Sequence, residues 1–391
     1  MISEDRKRLR IAVLTRVFSP TGGGAERYSI ALVEHLAQRH EIHVFAQRIE
    51  HQWPGVIYHV VSSPLTRPRW INQLWYATAT WWATRRGFDL VHSHENTWHG
   101  QVQTLHVAPV RYNLFHNLSG WRLPGRWFKV LTSPRLLSYL ALEGVRLSSR
   151  EDRCIVVTSK SLMAQVACTY PATANSLQVV TPGVTAVPGA TTPAQQHAAR
   201  QRLGLPALGR GVLFVGNDYR KKGLEALLCA LGQLSQETWL VVVGNASPIP
   251  EFRAMARAHG VENRVYFLGP LNDVSDAYLA ADCLAHPTLE DTFAMVVLEA
   301  MAHGLPVVVS SKRYCGISGL LTHEANALVL EDPRDPKALT THLRRVLAAP
   351  STVTRIREGA LEFARLHQWT DIAMQQEAIY FSLLRGVGLK S

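Results

Sequence analysis

Two carboxylates, Asp291 and Glu299, stand eight positions apart at the ends of an apolar run, inside the stretch TLEDTFAMVVLEAMAHGLPVVV at residues 288–309. An acid at the mouth of a short helix and a second about two turns in suit the hydroxyls of a sugar and of a ribose, because an ionised carboxylate offers two acceptor oxygens. A second group lies upstream: Arg220, Lys221 and Lys222, between the apolar run 211–216 and a helix-like segment. Fixed cations between a strand and a helix stabilise the charge that develops on a departing diphosphate. The plainer alternative is a solvated basic turn. Gly23 and Gly24, inside SPTGGGAER, form a third candidate, where the absence of side chains permits close approach of backbone to a ligand.

These groups need elements to carry them. Gly304-Leu305-Pro306 ends the helix behind Glu299, since glycine tolerates left-handed dihedrals and proline cannot continue the ladder. Val307 to Val309 then reads as a strand buried on both faces. The same rhythm runs along the chain. Strands are expected over 10–18, 41–46, near 89–92 and 103–106, and over 154–159. After a Pro-, Gly-, Thr- and Gln-rich linker near 181–210, strands follow at 211–216, 239–244 and 265–269, with helices between. Alternating β and α predict parallel sheets. At 391 residues the chain exceeds one ordinary core. The expected fold is therefore α/β: two Rossmann-like parallel-sheet domains facing across a cleft. The domains expected are 1–185, 186–368 and a last helix, 369–391, crossing back to the first.

Composition narrows the class. Apolar residues make up 47% of the chain and mean hydropathy is −0.01, as in globular domains. The first residues, MISEDRKRLRIAVL, lack the apolar core of a secretion signal, and no run of 18 apolar residues suggests a membrane span. Five scattered cysteines without metal-ligand spacing fit free thiols in a cytoplasmic setting. Residues 1–185 hold 21 Lys and Arg against 11 Asp and Glu, whereas the remainder holds 20 against 19. The first half is thus expected to meet something anionic. Nucleic acid is disfavoured because no DNA- or RNA-reading motif accompanies the charge.

Taken together, GGAER at 23–27, VGNDYRKKG at 215–223 and the acid–x7–acid pair ending at Glu299 resemble the GT-B fold glycosyltransferases of the large retaining family 4. Within it, the C-terminal half is most similar to the branch that glucosylates the heptose of the lipopolysaccharide inner core. The resemblance implies a hexosyltransferase using a nucleotide sugar, UDP-linked, with retention of configuration and no metal or other cofactor. Lys222 matches the family's motif lysine. Asn217 stands where many relatives carry arginine, so Lys221, in preference to Arg220, is expected to supply the second cation. Asp291 takes the place of the acid that contacts the donor sugar, although relatives usually have glutamate, and neighbouring Glu290 competes for the role. Gly216, Asn217, Arg220, Thr292, Phe293 and Ala294 are expected around the donor phosphates, and Glu299 on the ribose. Gly23 and Gly24 are expected near the donor phosphates and sugar.

His106, in the sequence Thr104-Leu105-His106, resembles a strand-end histidine near the transferred sugar. His92 and His94 are spaced too loosely to assign a metal, and His286 reads as structural or as a rim contact. Residues 105–150 hold seven Arg and Lys against one acid, Glu143, interleaved with aromatics. This is the pattern of an interfacial anchor on anionic lipid, although a helical subdomain with inward aromatics fits as well. The resemblance, whose acceptor is a phosphorylated glycolipid, favours the anchor and a location peripheral to the inner face of the cytoplasmic membrane. Two rivals are a sugar-nucleotide 2-epimerase of the same fold and a basic binding protein without activity.

Overall fold

The computed structural model describes residues 8–388 apart from 21, 66, 117, 187, 188, 190 and 349. The charged residues 1–7, Thr21 of the Gly-rich loop and part of the expected linker lie outside the described residues. The chain forms two compact units, Met1–Thr181 with Trp369–Ser391, and Pro182–Gln368.

The first unit is built on a seven-stranded sheet. Its spatial order is Val56–Val60, Glu41–Ala46, Arg10–Leu14, Leu90–Ser93, Val102–Leu105, Cys154–Val157 and Leu177–Val179. All neighbours are parallel. The run 10–18 is not one strand. It breaks after Leu14, and Val17–Phe18 pairs separately with Arg48–Ile49. Chain order runs outward in both directions from the pair Arg10–Leu14 and Leu90–Ser93, so the ligand crevice of this sheet lies beyond their carboxyl ends.

The second unit holds six parallel strands in the order Val265–Gly269, Thr238–Val243, Arg210–Val215, Cys283–His286, Val307–Ser310 and Leu328–Leu330. Successive side chains of a strand face opposite sides. Leu213, Val241, Leu284 and Val309 accordingly enter one core, and Val212, Leu240, Ala285 and Val308 the other. Both faces are therefore dry, which explains the unbroken Val-rich runs. Gly304, at φ +67°, closes the helix Met295–Ala302 as its position predicts.

Candidate active site

In the second unit the strands Arg210–Val215 and Cys283–His286 are neighbours, and chain order reverses between them. Two loops leave their carboxyl ends, one through Gly216 to Gly223 and one through Pro287 to Ala294. They touch at Gly223, whose φ is +79° and where a Cβ would lie 2.0 Å from the Pro287 carbonyl oxygen. Leu289 N–H donates to the Lys221 carbonyl at 2.8 Å, adding a second tie. A Cβ on Gly216 would stand 2.9 Å from Lys222 Cγ, so the bare glycine leaves room for the lysine stem.

The Lys222 ammonium, with a side chain 20% exposed, donates to Asp291 Oδ2 at 2.5 Å and lies 3.4 Å from the Glu290 carbonyl oxygen. His286, fully buried, places Nε2 at 3.2 Å from the same Asp291 oxygen. The other oxygen, Oδ1, accepts the N–H of Phe293 at 3.2 Å and of Ala294 at 2.9 Å. Burial alone would raise the Asp291 carboxyl. The His286 hydrogen bond and the Lys222 charge overcome it and hold Asp291 well below the usual carboxylate range. Burial lowers the His286 imidazole against the opposing pull of Asp291, so it is neutral and donates through Nε2.

This geometry revises two expectations. The Phe293 and Ala294 amides, expected to face a phosphate, are taken by Asp291. The Asp291 carboxylate, expected on the donor sugar, already accepts from four groups. The Phe293 side chain packs in the core, so only its backbone belongs to the loop. Ala294 is left-handed, at φ 73°, a conformation that costs a non-glycine residue and is common at functional loops.

Around this centre, Lys221 pairs with Glu290 at 3.1 Å, and the Glu290 side chain is 55% exposed. Arg220 turns away to pair with Glu251 and lies over the Phe252 ring. Asn217 is exposed and Thr292 half-buried. Glu299, half-buried on the helix Met295–Ala302, accepts from Tyr278 Oη at 2.7 Å. Tyr278 in turn stacks on His303. Sequence reasoning gave Gly223 and Tyr278 no site role and read His286 as structural or as a rim contact, not as a partner of Asp291. The only available signal for His286 was a His-Pro pair directly before the acidic motif.

In the first unit, Gly23 and Gly24 are exposed at the start of the helix Gly24–Leu36, which has no side-chain cap. Such a helix start presents unpaired N–H groups and the positive end of the dipole. Glu26 folds back on the loop, since a Cβ on Gly22 would lie 2.8 Å from its Cβ. Behind the loop, His106 Nε2 is hydrogen-bonded to His94 Nδ1 at 3.0 Å and the rings stack. His92 bonds Tyr380 Oη and Thr104 Oγ1, both at 2.7 Å. Burial foremost holds His92 and His106 down at about 3 and lowers His94 strongly, so all three are neutral. Among the described residues no cluster of three or more metal-ligating side chains has metal-site geometry. Tyr28 packs against His106 and Trp369, tying the helix Trp369–Gly388 into this unit.

Residues 105–150 form three helices, Val110–Phe115, Arg122–Leu131 and Pro134–Arg146. The single acid, Glu143, is buried and accepts the Val110 and Arg111 N–H groups, so it does not offset the surface arginines. The helix Arg122–Leu131 buries Val130 alone, while Trp121 is 83% and Phe128 71% exposed. Phe128 of this helix and Trp121 just before it therefore face outward, whereas Trp127 packs on the Phe115 ring while staying partly exposed.

Two parallel-sheet α/β units, each with its chemistry-bearing loops at a switch point, make the architecture of the GT-B fold. Residues 195–363 match the family described as glycosyl transferases group 1, and residues 22–186 match glycosyltransferase family 4. The chain belongs to the family 4 glycosyltransferases of GT-B fold. It is 30% identical over 329 residues to a D-inositol 3-phosphate glycosyltransferase of Corynebacterium efficiens, covering 76% of this chain and 72% of that one. It is 34% identical over 221 residues to the corresponding protein of Xylanimonas cellulosilytica, covering 54% of this chain and about half, 52%, of the relative. It is 28% identical over 242 residues to the lipopolysaccharide glucosyltransferase WaaG of Escherichia coli, covering 60% and 63%. In fold, it superposes on the crystal structure of WaaG with a TM-score of 0.80 at 22% identity, covering 95% of this chain and 99% of the other. On Anabaena HepE in complex with UDP and glucose the TM-score is 0.75 at 19% identity, covering 96% and 100%.

Proposed function

We propose that this protein transfers a hexosyl group from a UDP-sugar to a hydroxyl of a lipopolysaccharide core or related glycolipid, with retention of configuration. The observation that carries the reading is the pairing of Lys222 with Asp291 at the second unit's switch point, on the loop opposite the helix that bears Glu299. Likeness to a protein crystallised with UDP and glucose supports the donor, and likeness to WaaG supports the acceptor. The similarity to D-inositol 3-phosphate glycosyltransferases makes a soluble phosphorylated acceptor the second reading.

In the proposed reaction the bond from the anomeric carbon to the diphosphate breaks, and the acceptor oxygen bonds that carbon on the same face. The acceptor proton passes to the departing phosphate oxygen, and UDP leaves. Lys222 and Lys221 stabilise the charge growing on the diphosphate, Glu299 takes the ribose hydroxyls, and Glu290, the outward carboxylate, meets the sugar. His106 has a positioning and electrostatic role near the transferred sugar. Catalysis is positioning plus electrostatics, with no metal or other cofactor. The first unit takes the acceptor. Its outward helix Arg122–Leu131 holds Trp127 and Phe128 at headgroup depth with Arg122, Arg126 and Lys129 on anionic lipid. The protein then works peripherally on the inner face of the cytoplasmic membrane. Among the described residues no helix is long and apolar enough to cross a membrane.

The test is incubation with a panel of UDP-sugars, measuring UDP release with and without lipopolysaccharide core and inositol phosphate. Acceptor-dependent UDP release with core supports the proposal, and release with inositol phosphate alone moves the acceptor to the second reading. Isomerised sugar nucleotide without transfer refutes it.

A further inference from the structure

We infer that His286 is a positioning residue that acts through Asp291 to fix the Lys222 ammonium for an incoming diphosphate oxygen. The catalytic consequence rests on the proposed transfer reaction, whereas the placement of Lys222 stands on geometry alone. Lysine is a point charge on a flexible stem with three donors, and its location must be imposed from outside. Here one donor goes to Asp291 Oδ2 at 2.5 Å and another approaches the Glu290 carbonyl at 3.4 Å. One donor remains for a ligand.

The carboxylate that fixes the ammonium is itself fixed at both ends. Oδ1 is clamped by the Phe293 and Ala294 amides. Oδ2 is shared with His286 Nε2 at 3.2 Å. His286 is the last residue of the strand Cys283–His286 and pairs with Val309 in the sheet, so it belongs to the rigid scaffold. A continuous chain thus runs from the sheet through imidazole and carboxylate to the mobile lysine.

A packing role does not account for this histidine. Its Nδ1 is buried and without a hydrogen-bond partner among the described residues. A buried unsatisfied polar atom is costly, and an apolar side chain of similar size would avoid the cost. The imidazole is kept for its other nitrogen, which donates to Asp291.

Three variants decide it. His286→Leu removes the donor, His286→Asn places an amide too short to reach Asp291, and His286→Gln restores an N–H near the position of Nε2. With UDP-glucose as probe, kcat should fall roughly 10- to 100-fold in the Leu and Asn variants, the range of a lost charge-assisted hydrogen bond. Affinity for UDP should stay within about three-fold, and the Gln variant should recover most of the loss. A second readout needs no turnover: acetic anhydride labelling of Lys222 relative to Lys221, quantified by peptide mass spectrometry. That ratio should rise in the Leu and Asn variants and remain at the native value in Gln. An unchanged ratio in Leu and Asn, or Gln behaving as Asn does, overturns the inference. So does unfolding of all three, which would make the imidazole a packing element. If the native protein releases no UDP from any sugar nucleotide, the transfer proposal falls, and the labelling still settles where Lys222 is held.

Discussion

Acidification from pH 7 to pH 5 should weaken the first unit through His92, His94 and His106. Burial holds His92 and His106 at about 3 and lowers His94 strongly, whereas an unfolded histidine titrates near ~6.5. The folded values are the lower ones, so the unfolded chain binds more protons throughout this window. Stability is therefore full above the unfolded value and is lost as the pH falls towards the folded one. Once the unfolded histidine is mostly protonated, each group contributes about 1.4 kcal/mol per pH unit. Integrated from pH 7 to 5, this is about 2 kcal/mol for fully buried His92 and on the order of 4 kcal/mol for His92 and His106 together, with His94 adding in the same direction. A domain's entire stability is about 5–15 kcal/mol, so the loss is large. The assay is amide hydrogen exchange of the strands Leu90–Ser93 and Val102–Leu105 at each pH, corrected for intrinsic rate, beside urea titration. His106→Asn should lessen the pH slope by about 1.4 kcal/mol per unit. Equal protection at pH 7 and pH 5, or a slope unaltered in the variant, would refute the reasoning.

The remaining predictions concern the proposed chemistry. Lys222→Ala should slow transfer by roughly two to three orders of magnitude, ~3–4 kcal/mol of transition-state stabilisation, and near-native turnover would remove the lysine from the mechanism. Glu299→Ala should weaken UDP binding by calorimetry about ten-fold or more, the scale of lost hydrogen bonds to a charged group, and unchanged affinity counts against the ribose role. Gly223→Ala should lower the melting temperature of the second unit, because the new Cβ meets the Pro287 carbonyl at 2.0 Å in a left-handed backbone; an unchanged melting temperature would mean the loop yields freely. Replacing Trp121 and Phe128 by serine should reduce sedimentation with anionic vesicles while leaving turnover of soluble acceptors intact, and full vesicle binding would place the membrane contact elsewhere.

The parallel-sheet architecture was legible because its strands are buried on both faces, which writes Val307 to Val309 and Val241 to Val243 as uninterrupted apolar runs. The strands Val56–Val60 and Leu177–Val179 carried no such mark: each lies at a sheet edge, partly exposed, and the sequence there alternates or is short. Lys222 and Asp291 were singled out by their place between strand and helix. Their contact, and the His286 behind it, could not be read from spacing, because 69 residues separate Lys222 from Asp291 and only the sheet order brings the two loops together. The outward turn of Phe128 in the helix Arg122–Leu131, and of Trp121 before it, was equally hidden. Composition is the same whether tryptophans face in or out, and the decision rests with what packs beside them. The assignment of Arg220 to phosphate is weakened by its pairing with Glu251, which lies 31 residues further along the chain and could not be read from the local sequence.

The helix Trp369–Gly388 follows the whole second unit in sequence, yet its Tyr380 closes on His92 and its Glu377 on His40, both in the first unit. A ribosome makes those residues only after the strands they pack against and the whole of the second unit. The second unit can mature during synthesis, while the first waits, incomplete, for the twenty residues of this helix. Clipping this helix away would therefore injure strands made hundreds of residues earlier, uncovering Tyr28 and the imidazoles behind it.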